Sequence, residues 1–508
     1  MSEATQDSAP GSVAAALPDL VDEYRQIRDD LERGILSVAS SVDGRQFTFQ
    51  ASLHQLRLQT GGYVVLEGDG GQRLGQVLTM RPDSATATDL GLEAKYGLRI
   101  RFARGEGVIL DGDSRPFHDA RARPADPGEV EAWLKRTRPD RSVLTVGELL
   151  LAPGVAANLD SGGFNRHTFM CGQSGSGKTY SLGLVLERLL LGTSLRLIIL
   201  DPNSDYVRLA DVRDTVDSAV AADYAKAAGG VAVWQNSPDA EHRLQMQFID
   251  VDPAAQAAVF GLDPIRDREE YAAFSGILAA SEKGRPMISG LDALVSSDNP
   301  DIRRLGVRAA NLGVLQWSIW SGGQGRSLVD ELEEPTSRCL VIDLGSLDSH
   351  DEQRLISETV LSTLWRIRAR RQPCLIVIDE AHNVCPGQPS DSVTALATKY
   401  AALIAAEGRK FGLYLLTSTQ RPQKVHDEVL SQCDNLLLMR MNSESDLAHL
   451  REAFSFVPAG LIQRATTFRQ GESLVAGKFV PHPTYVRMGQ RLSQEGGADI
   501  PTSWAATQ

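Results

Sequence analysis

The chain has 508 residues, 42% of them hydrophobic and 23% charged, and its 65 acidic against 52 basic residues give a net charge of −13. That length is too great for one simple core and suits two or three domains. The acidic balance excludes a protein that merely coats nucleic acid, so any DNA contact must come from a local basic surface such as a pore lining. Five scattered cysteines with no C-x-x-C pair argue against a zinc site and fit a reducing compartment. The N-terminus has no basic region followed by an apolar stretch, and no run reaches membrane length; a soluble, cytoplasmic protein with no membrane contact is expected.

Residues 1–18 lack periodicity and are expected to be disordered. From Asp19 to Arg33, Leu20, Tyr24, Ile27 and Leu31 share one face and Gly34 follows, which predicts an amphipathic helix over 19–34. It either packs on the next domain or docks a partner. Residues 35–116 read as all-β. Gln46–Gln50, Tyr63–Glu67, Leu74–Leu78, Gly97–Phe102 and Val108–Leu110 are strand-like, with a turn at Asp69-Gly70-Gly71. Such short strands predict a small β-barrel for assembly or partner docking. The polar stretch 117–145, with Pro124 and Pro127, reads as a linker carrying a short helix near Val130–Arg136. A larger core is expected over 146–485, followed by a C-terminal tail from 486 to 508.

The core is organised around His167–Leu191. An apolar run, Thr168–Cys171, meets Gly172-Gln173-Ser174-Gly175-Ser176-Gly177-Lys178-Thr179, and a helical pattern follows at once. Strand, glycine-rich loop and helix in this order fit G-x-x-x-x-G-K-[ST]. Gly172, Gly175 and Gly177 leave backbone N–H groups free to wrap phosphate oxygens, alongside those of Ser174 and Ser176. The following helix, entered through Lys178, Thr179 and Tyr180, points its positive end at the same anion. Lys178 supplies charge near the β- and γ-phosphates of ATP, and the Thr179 hydroxyl suits Mg²⁺.

Next comes a buried strand, Leu195–Leu200, ending in Asp201-Pro202-Asn203-Ser204-Asp205-Tyr206. Asp201 or Asp205 either holds a water or Mg²⁺-bound water, or Asp201 caps a turn and Asp205 is solvated. Helical patterns dominate 237–330 (Pro253–Phe260, Glu269–Lys283, Ile302–Trp320) and predict a helical insertion. Arg303, Arg304 and Arg308 cluster near one helix face there. The strand Cys374–Ile378 then ends in Asp379-Glu380. This is the expected second half of a nucleotide site: Asp379 positions Mg²⁺ through water, and Glu380 orients and polarises the attacking water. After a small-residue helix, Val393–Ala406, the strand Leu413–Thr417 leads to Gln420, placed to sense the γ-phosphate. Arg409 is the candidate arginine finger acting on a neighbouring subunit's ATP, with Lys410 as competitor and a helix-terminal charge as the plainer alternative for Arg409.

Taken together, Asn165-Arg166-His167, Gly172–Thr179, Asp201-Pro202…Tyr206, Ile378-Asp379-Glu380-Ala381-His382, Glu407–Gly412 and Gln420-Arg421-Pro422 resemble the HerA-type hexameric ATPases, relatives of the FtsK DNA pumps. The resemblance covers roughly 145–485. It implies an α/β, RecA-like P-loop core behind a small N-terminal barrel, a homo-hexamer with ATP sites between subunits, and double-stranded DNA in the central pore. It also implies a separate nuclease or effector protein docking on the barrel face, in DNA-end processing or anti-phage defence. The family often has Asp-Pro-His-Gly-Glu-Tyr where this chain has Asn203, Ser204 and Asp205, which shortens that carboxylate by one methylene.

Overall fold

The computed structural model describes Asp22, Gln26 and residues 37–53, 57–68, 70–83, 102–112, 115–137, 142–280, 295–321 and 325–497. The expected helix over 19–34, apart from Asp22 and Gln26, and the expected disorder of 1–18 lie outside the described residues. Two compact units are present: one holds the chain up to Thr137 with Leu151–Val155, the other Arg138–Leu150 with everything from Ala156 onward.

In the first unit, β1 (Val38–Ser41), β2 (Gln46–Ser52), β3 (Tyr63–Gly68), β4 (Gly71–Pro82), β5 (Phe102–Ile109) and β6 (Phe117–Pro124) close a barrel in the order β1-β2-β5-β4-β3-β6. Every pairing is antiparallel. Alternation along β2 sends Phe47, Phe49 and Ala51 into a core shared with Val64, Leu66, Val77 and Ala120. Two sequence expectations change here. The segment 117–145 is not all linker, because β6 lies in it and joins β1 to β3; its alternation is of alanine with charged residues, a weak signal until the barrel closes. Residues 97–101 of the run expected over Gly97–Phe102 lie outside the described residues; Phe102 itself and the run beginning at Val108 belong to one strand, β5, which continues through Gly105 and Gly107. Those glycines do not break the strand: a Cβ at either would strike the Phe47 or Phe49 ring. Helix α1 (Pro127–Thr137) follows, and Arg123 ties it to the barrel by pairing with Glu67 and Glu129, both at 2.8 Å.

The second unit is built on a 12-stranded sheet ordered β12-β11-β13-β10-β14-β15-β9-β16-β17-β18-β7-β8. Its strands are β7 (Val143–Leu149), β8 (Ala156–Asp160), β9 (His167–Cys171), β10 (Arg196–Asp201), β11 (Val231–Gln235), β12 (His242–Arg243), β13 (Cys339–Asp343), β14 (Cys374–Ile378), β15 (Leu413–Thr419), β16 (Cys433–Leu438), β17 (Glu472–Gly477) and β18 (Thr484–Met488). From β12 to β16 the strands are parallel; β16 onward they pair antiparallel. β9, β13 and β14 are buried at every position, as the continuous apolar runs require when helices cover both faces. The strand after which the glycine-rich loop comes, β9, lies one strand away from β14, with β15 between them. This is the RecA-like arrangement. All five cysteines are buried.

Helices named below are α2 (Lys178–Gly192), α3 (Pro253–Val259), α4 (Arg268–Ala280), α5 (Pro300–Asn311), α6 (His350–Arg366) and α7 (Ser392–Glu407). The helical insertion holds α3, α4 and α5 around the rings of Phe248, Phe260, Phe274 and Trp320. The single helix expected over Ile302–Trp320 instead stops after Asn311. Gly313 takes a left-handed φ of 67°, and only a short 3₁₀ turn follows at Val314–Gln316. Arg308 turns inward to Asp267 at 3.0 Å and Glu270 at 2.9 Å. Beyond β18, which itself crosses the expected core boundary at 485, residues 490–493 strap back over α2 of the same chain, and the Gln494 and Gly496 N–H groups donate onward to the Asp211 and Asp205 carbonyls. Arg491 is fully buried, with Nε 3.3 Å from Glu187, and Gly183 leaves room for its guanidinium against the helix. Among the described residues no helix is long and apolar enough to cross a membrane.

Candidate nucleotide site

The parallel strands end on one edge of the sheet, and the loops that follow them carry the site, as open α/β sheets require. After β9, Gly172 passes so close to Met439 and Ser176 that a Cβ would lie 2.8 and 2.7 Å from them. Gly175 and Gly177 take positive φ values of 72° and 90°, and Gly177 forms the N-cap of α2 without any side-chain capping bond. The amides at this helix start are therefore open to an anion. The loop is held from the opposite side. Gln173 N–H donates to the Arg440 carbonyl at 2.9 Å, Gly471 N–H to the Ser176 carbonyl at 3.0 Å, and an Arg440 Nη to the Gly175 carbonyl at 3.2 Å. Ser174 is exposed, while Thr179 and Tyr180 are half-buried in the first turn of α2.

Lys178 is 5% exposed, and its ammonium lies 2.7 Å from Asp379 Oδ1, 3.0 Å from Ser418 Oγ and 3.2 Å from Glu380 Oε1. Burial disfavours its charge, but the two carboxylates beside it hold its pKa above the ordinary lysine value. The other oxygen of Asp379 accepts from the Tyr206 hydroxyl at 3.3 Å. Glu380 sits at φ 46°, a left-handed backbone conformation that a non-glycine residue keeps only when its surroundings enforce it. Gln420 donates to Glu380 Oε1 at 3.0 Å, and His382 Nδ1 lies 3.2 Å from Oε2 and 3.0 Å from Thr419 Oγ1. Burial opposes ionisation of Glu380, yet the His382 ring, the Lys178 charge and the Gln420 amide outweigh it and hold its pKa at about 2. Glu380 is thus charged at neutral pH and held in place by its neighbours.

Asp201 and Asp205 separate. Asp201 is fully buried, and its oxygens accept from Asp205 N–H at 3.0 Å and Tyr206 N–H at 2.8 Å. It caps its own turn, which is one of the two readings open from sequence, and burial pushes its pKa up to about 7. Asp205 is half-buried and faces the charged cluster; burial first, and then the Asp379 charge, raise its pKa to about 6. Among the described residues no group of three or more His, Cys, Asp or Glu side chains is gathered as a metal site, and the oxygen donors beside the phosphate loop are few: the Thr179 hydroxyl and the Asp379 carboxylate. Such a set suits Mg²⁺, which binds through one or two carboxylates together with substrate phosphates.

Arg409 is elsewhere. It stands in the turn before β15, whereas Gln420 stands just after it, so the strand puts roughly 20 Å between them. There Arg409 pairs with Asp434 at 2.8 Å, and Arg166 lies 3.6 Å from the same carboxylate. Lys410 beside it is exposed. In the sequence His382 and Tyr206 are visible only as members of motifs, and nothing local marks Ser418 or Arg440. His382 follows Asp379-Glu380 closely enough that the motif itself could have marked it. Ser418 and Arg440 are found only through pairing across the sheet.

A family model described as the central domain of the helicase HerA matches residues 144–299. Over 488 residues the chain is 22% identical to the DNA double-strand break repair helicase HerA of Sulfolobus acidocaldarius, covering 87% of this chain and 91% of that protein. The HerA of Pyrococcus furiosus is 22% identical over 440 residues, covering 70% of this chain and 73% of its own. A probable helicase of Methanocaldococcus jannaschii is 27% identical over 172 residues, which is 34% of this chain and 31% of that protein. Among solved structures, VirB4 of Thermoanaerobacter pseudethanolicus aligns over 69% of this chain and 97% of its own, at 16% identity and a TM-score of 0.47.

Proposed function

We propose that the chain is a P-loop ATPase of the HerA type that couples ATP hydrolysis to translocation of double-stranded DNA, acting as a homo-hexamer with the duplex in its central pore. The observation that carries this reading is the convergence of Lys178, Asp379, Glu380 and Gln420 beside an open helix N-terminus, while Arg409 stands at the other edge of the sheet. Lys178 and the amides from Gly172 to Thr179 bind and orient the phosphates. Glu380, kept ionised by His382 and Gln420, takes a proton from the attacking water. Lys178 lies between Glu380 and Asp379, so phosphates that draw on its charge free Glu380 for the water. Thr179 and Asp379, with Asp205 behind them, would hold Mg²⁺, which when bound neutralises charge on the β- and γ-phosphate oxygens.

Arg409 is too far from its own chain's phosphate loop to serve it, so its role as an arginine finger requires a second copy, with Lys410 as the competing residue. Similarity to proteins described as DNA double-strand break repair helicases supports work on DNA; a cytoplasmic location and a separate nuclease or effector docking on the barrel, in DNA-end processing or anti-phage defence, are further parts of the proposal. The deciding experiment is ATP hydrolysis by the purified full chain with and without linear duplex DNA. Several-fold stimulation supports translocation. Hydrolysis indifferent to DNA overturns it in favour of a ring that assembles and activates an effector enzyme.

A further inference from the structure

Beyond Asp379 a cavity of about 850 Å³ opens, walled by the first turns of α6, the loop 383–390 after β14 and the segment 421–427 after β15. No phosphate-loop residue lines it. Its two walls are stitched together: Gly387 N–H donates to the Lys424 carbonyl and His426 N–H to the Cys385 carbonyl, both at 2.9 Å. The cavity is therefore preformed.

Its charges do not balance. Of the lining groups, Asp379 is already neutralised by Lys178 at 2.7 Å, and Arg354 is held by Asp351 at 2.7 Å. Arg421 and Lys424 are exposed, and among the described residues neither side chain has a hydrogen-bond or ion-pair partner. Asp427 is the remaining acid on the wall. Against that one acid stand two cations, so an excess positive charge over neutral amides favours an anion, and the volume is far larger than one free phosphate needs. The lining has no Phe, Tyr or Trp on which a splayed base would stack, so a backbone fits better than unpaired bases.

The cavity also touches the catalytic groups. Arg421 N–H donates to Thr419 Oγ1 at 3.0 Å, the same hydroxyl lies 3.0 Å from His382 Nδ1, and His382 reaches Glu380 at 3.2 Å. Gln420, which holds Glu380, is the neighbour of Arg421.

We propose that this cavity is a second phosphate site, distinct from the P-loop, in which Arg421 and Lys424 grip a backbone phosphate of duplex DNA. The inference rests on the translocase reading and deepens it: a group pulling on Arg421 acts one residue away from the clamp on Glu380. The same chemistry would also retain the phosphate released by hydrolysis, and the test separates the two sources.

The full chain carrying Arg421→Ala and Lys424→Ala is compared with wild type and with the charge-preserving pair Arg421→Lys and Lys424→Arg. Anisotropy of a labelled duplex is measured across a salt series, and hydrolysis is measured with added inorganic phosphate. Affinity for a fluorescent ATP analogue reports folding. The expected result is duplex affinity down about tenfold and a log–log salt slope shallower by about 2 in the alanine pair, with the charge-preserving pair close to wild type. A loss of phosphate inhibition with duplex binding intact supports the anion site but assigns it to the released product. Duplex affinity, salt slope and phosphate inhibition all unchanged overturn the proposal. A wild type that binds no duplex fails the translocase reading, and the phosphate arm alone then decides the site.

Discussion

The two ends of the central parallel strands differ in kind. At their C-terminal ends buried charges crowd together: Lys178, Asp379 and Glu380 lie within 3.2 Å contacts, around a backbone forced to positive φ at Glu380. At their N-terminal ends the charges are half-exposed, with Arg409 and Arg166 sharing Asp434. His167, buried there, accepts from Leu415 N–H at 2.9 Å and is kept neutral, burial pushing its pKa down to about 4. One end is organised for chemistry on a ligand held by this chain. The other is a half-exposed surface whose two arginines share one carboxylate.

The largest effect should come from the end that looks least like an active site. Arg409→Ala is expected to lower kcat by about 10³–10⁵ with nucleotide affinity retained. Mixing it with Glu380→Gln protein should restore part of the activity, because some interfaces would pair an intact Arg409 with an intact Glu380. No recovery on mixing would break the assignment of that end to a second copy. Glu380→Gln comes next, with turnover down about 10²–10⁴ and ATP still bound, measured by single-turnover hydrolysis and nucleotide retention. Normal turnover in that variant would remove the carboxylate from the mechanism. Gln420→Ala removes one hydrogen bond to a charged group, worth about 1.5–3 kcal/mol, and should slow hydrolysis about 10–100-fold. An unchanged rate would mean that His382 alone positions Glu380.

The smallest effect tests a buried acid at neither end. Glu358 of α6 is fully buried with both carboxyl oxygens lacking hydrogen-bond partners, and burial, aided by Asp252, raises its pKa to about 8. Its ordinary value is 4.5. Between pH 4.5 and 8 the unfolded chain releases this proton and the folded chain does not, so wild-type stability falls as pH rises through that window. Glu358→Gln should therefore gain little in Tm at pH 5 and a few degrees at pH 8, read by scanning calorimetry at both values. A gain independent of pH would assign the effect to packing.

Legibility from sequence followed locality. The glycine-rich loop, the Asp379-Glu380 strand end and Gln420 each announce themselves within a few residues, and the structure brings them together. The barrel was legible where aromatic and β-branched residues alternate, as in β2 and β3. It was not legible in β6, Phe-His-Asp-Ala-Arg-Ala-Arg-Pro, whose strand character comes from its partners β1 and β3. Nor was it legible in β5, where glycines that read as breaks exist to seat Phe47 and Phe49.

By itself the sequence determined the phosphate loop, the order of the sheet-building runs, the Asp379-Glu380 strand end and the small β unit before them, because strand, turn and helix signals are set by neighbouring residues. Only the tertiary structure decided that Lys178 meets Ser418, that His382 and Gln420 together hold Glu380, that Asp201 is spent on its own turn, and that Arg421 and Lys424 share a cavity. Lys178 and Ser418 are 240 positions apart. No local rule relates residues so distant; the sheet order that places β15 between β9 and β14 does.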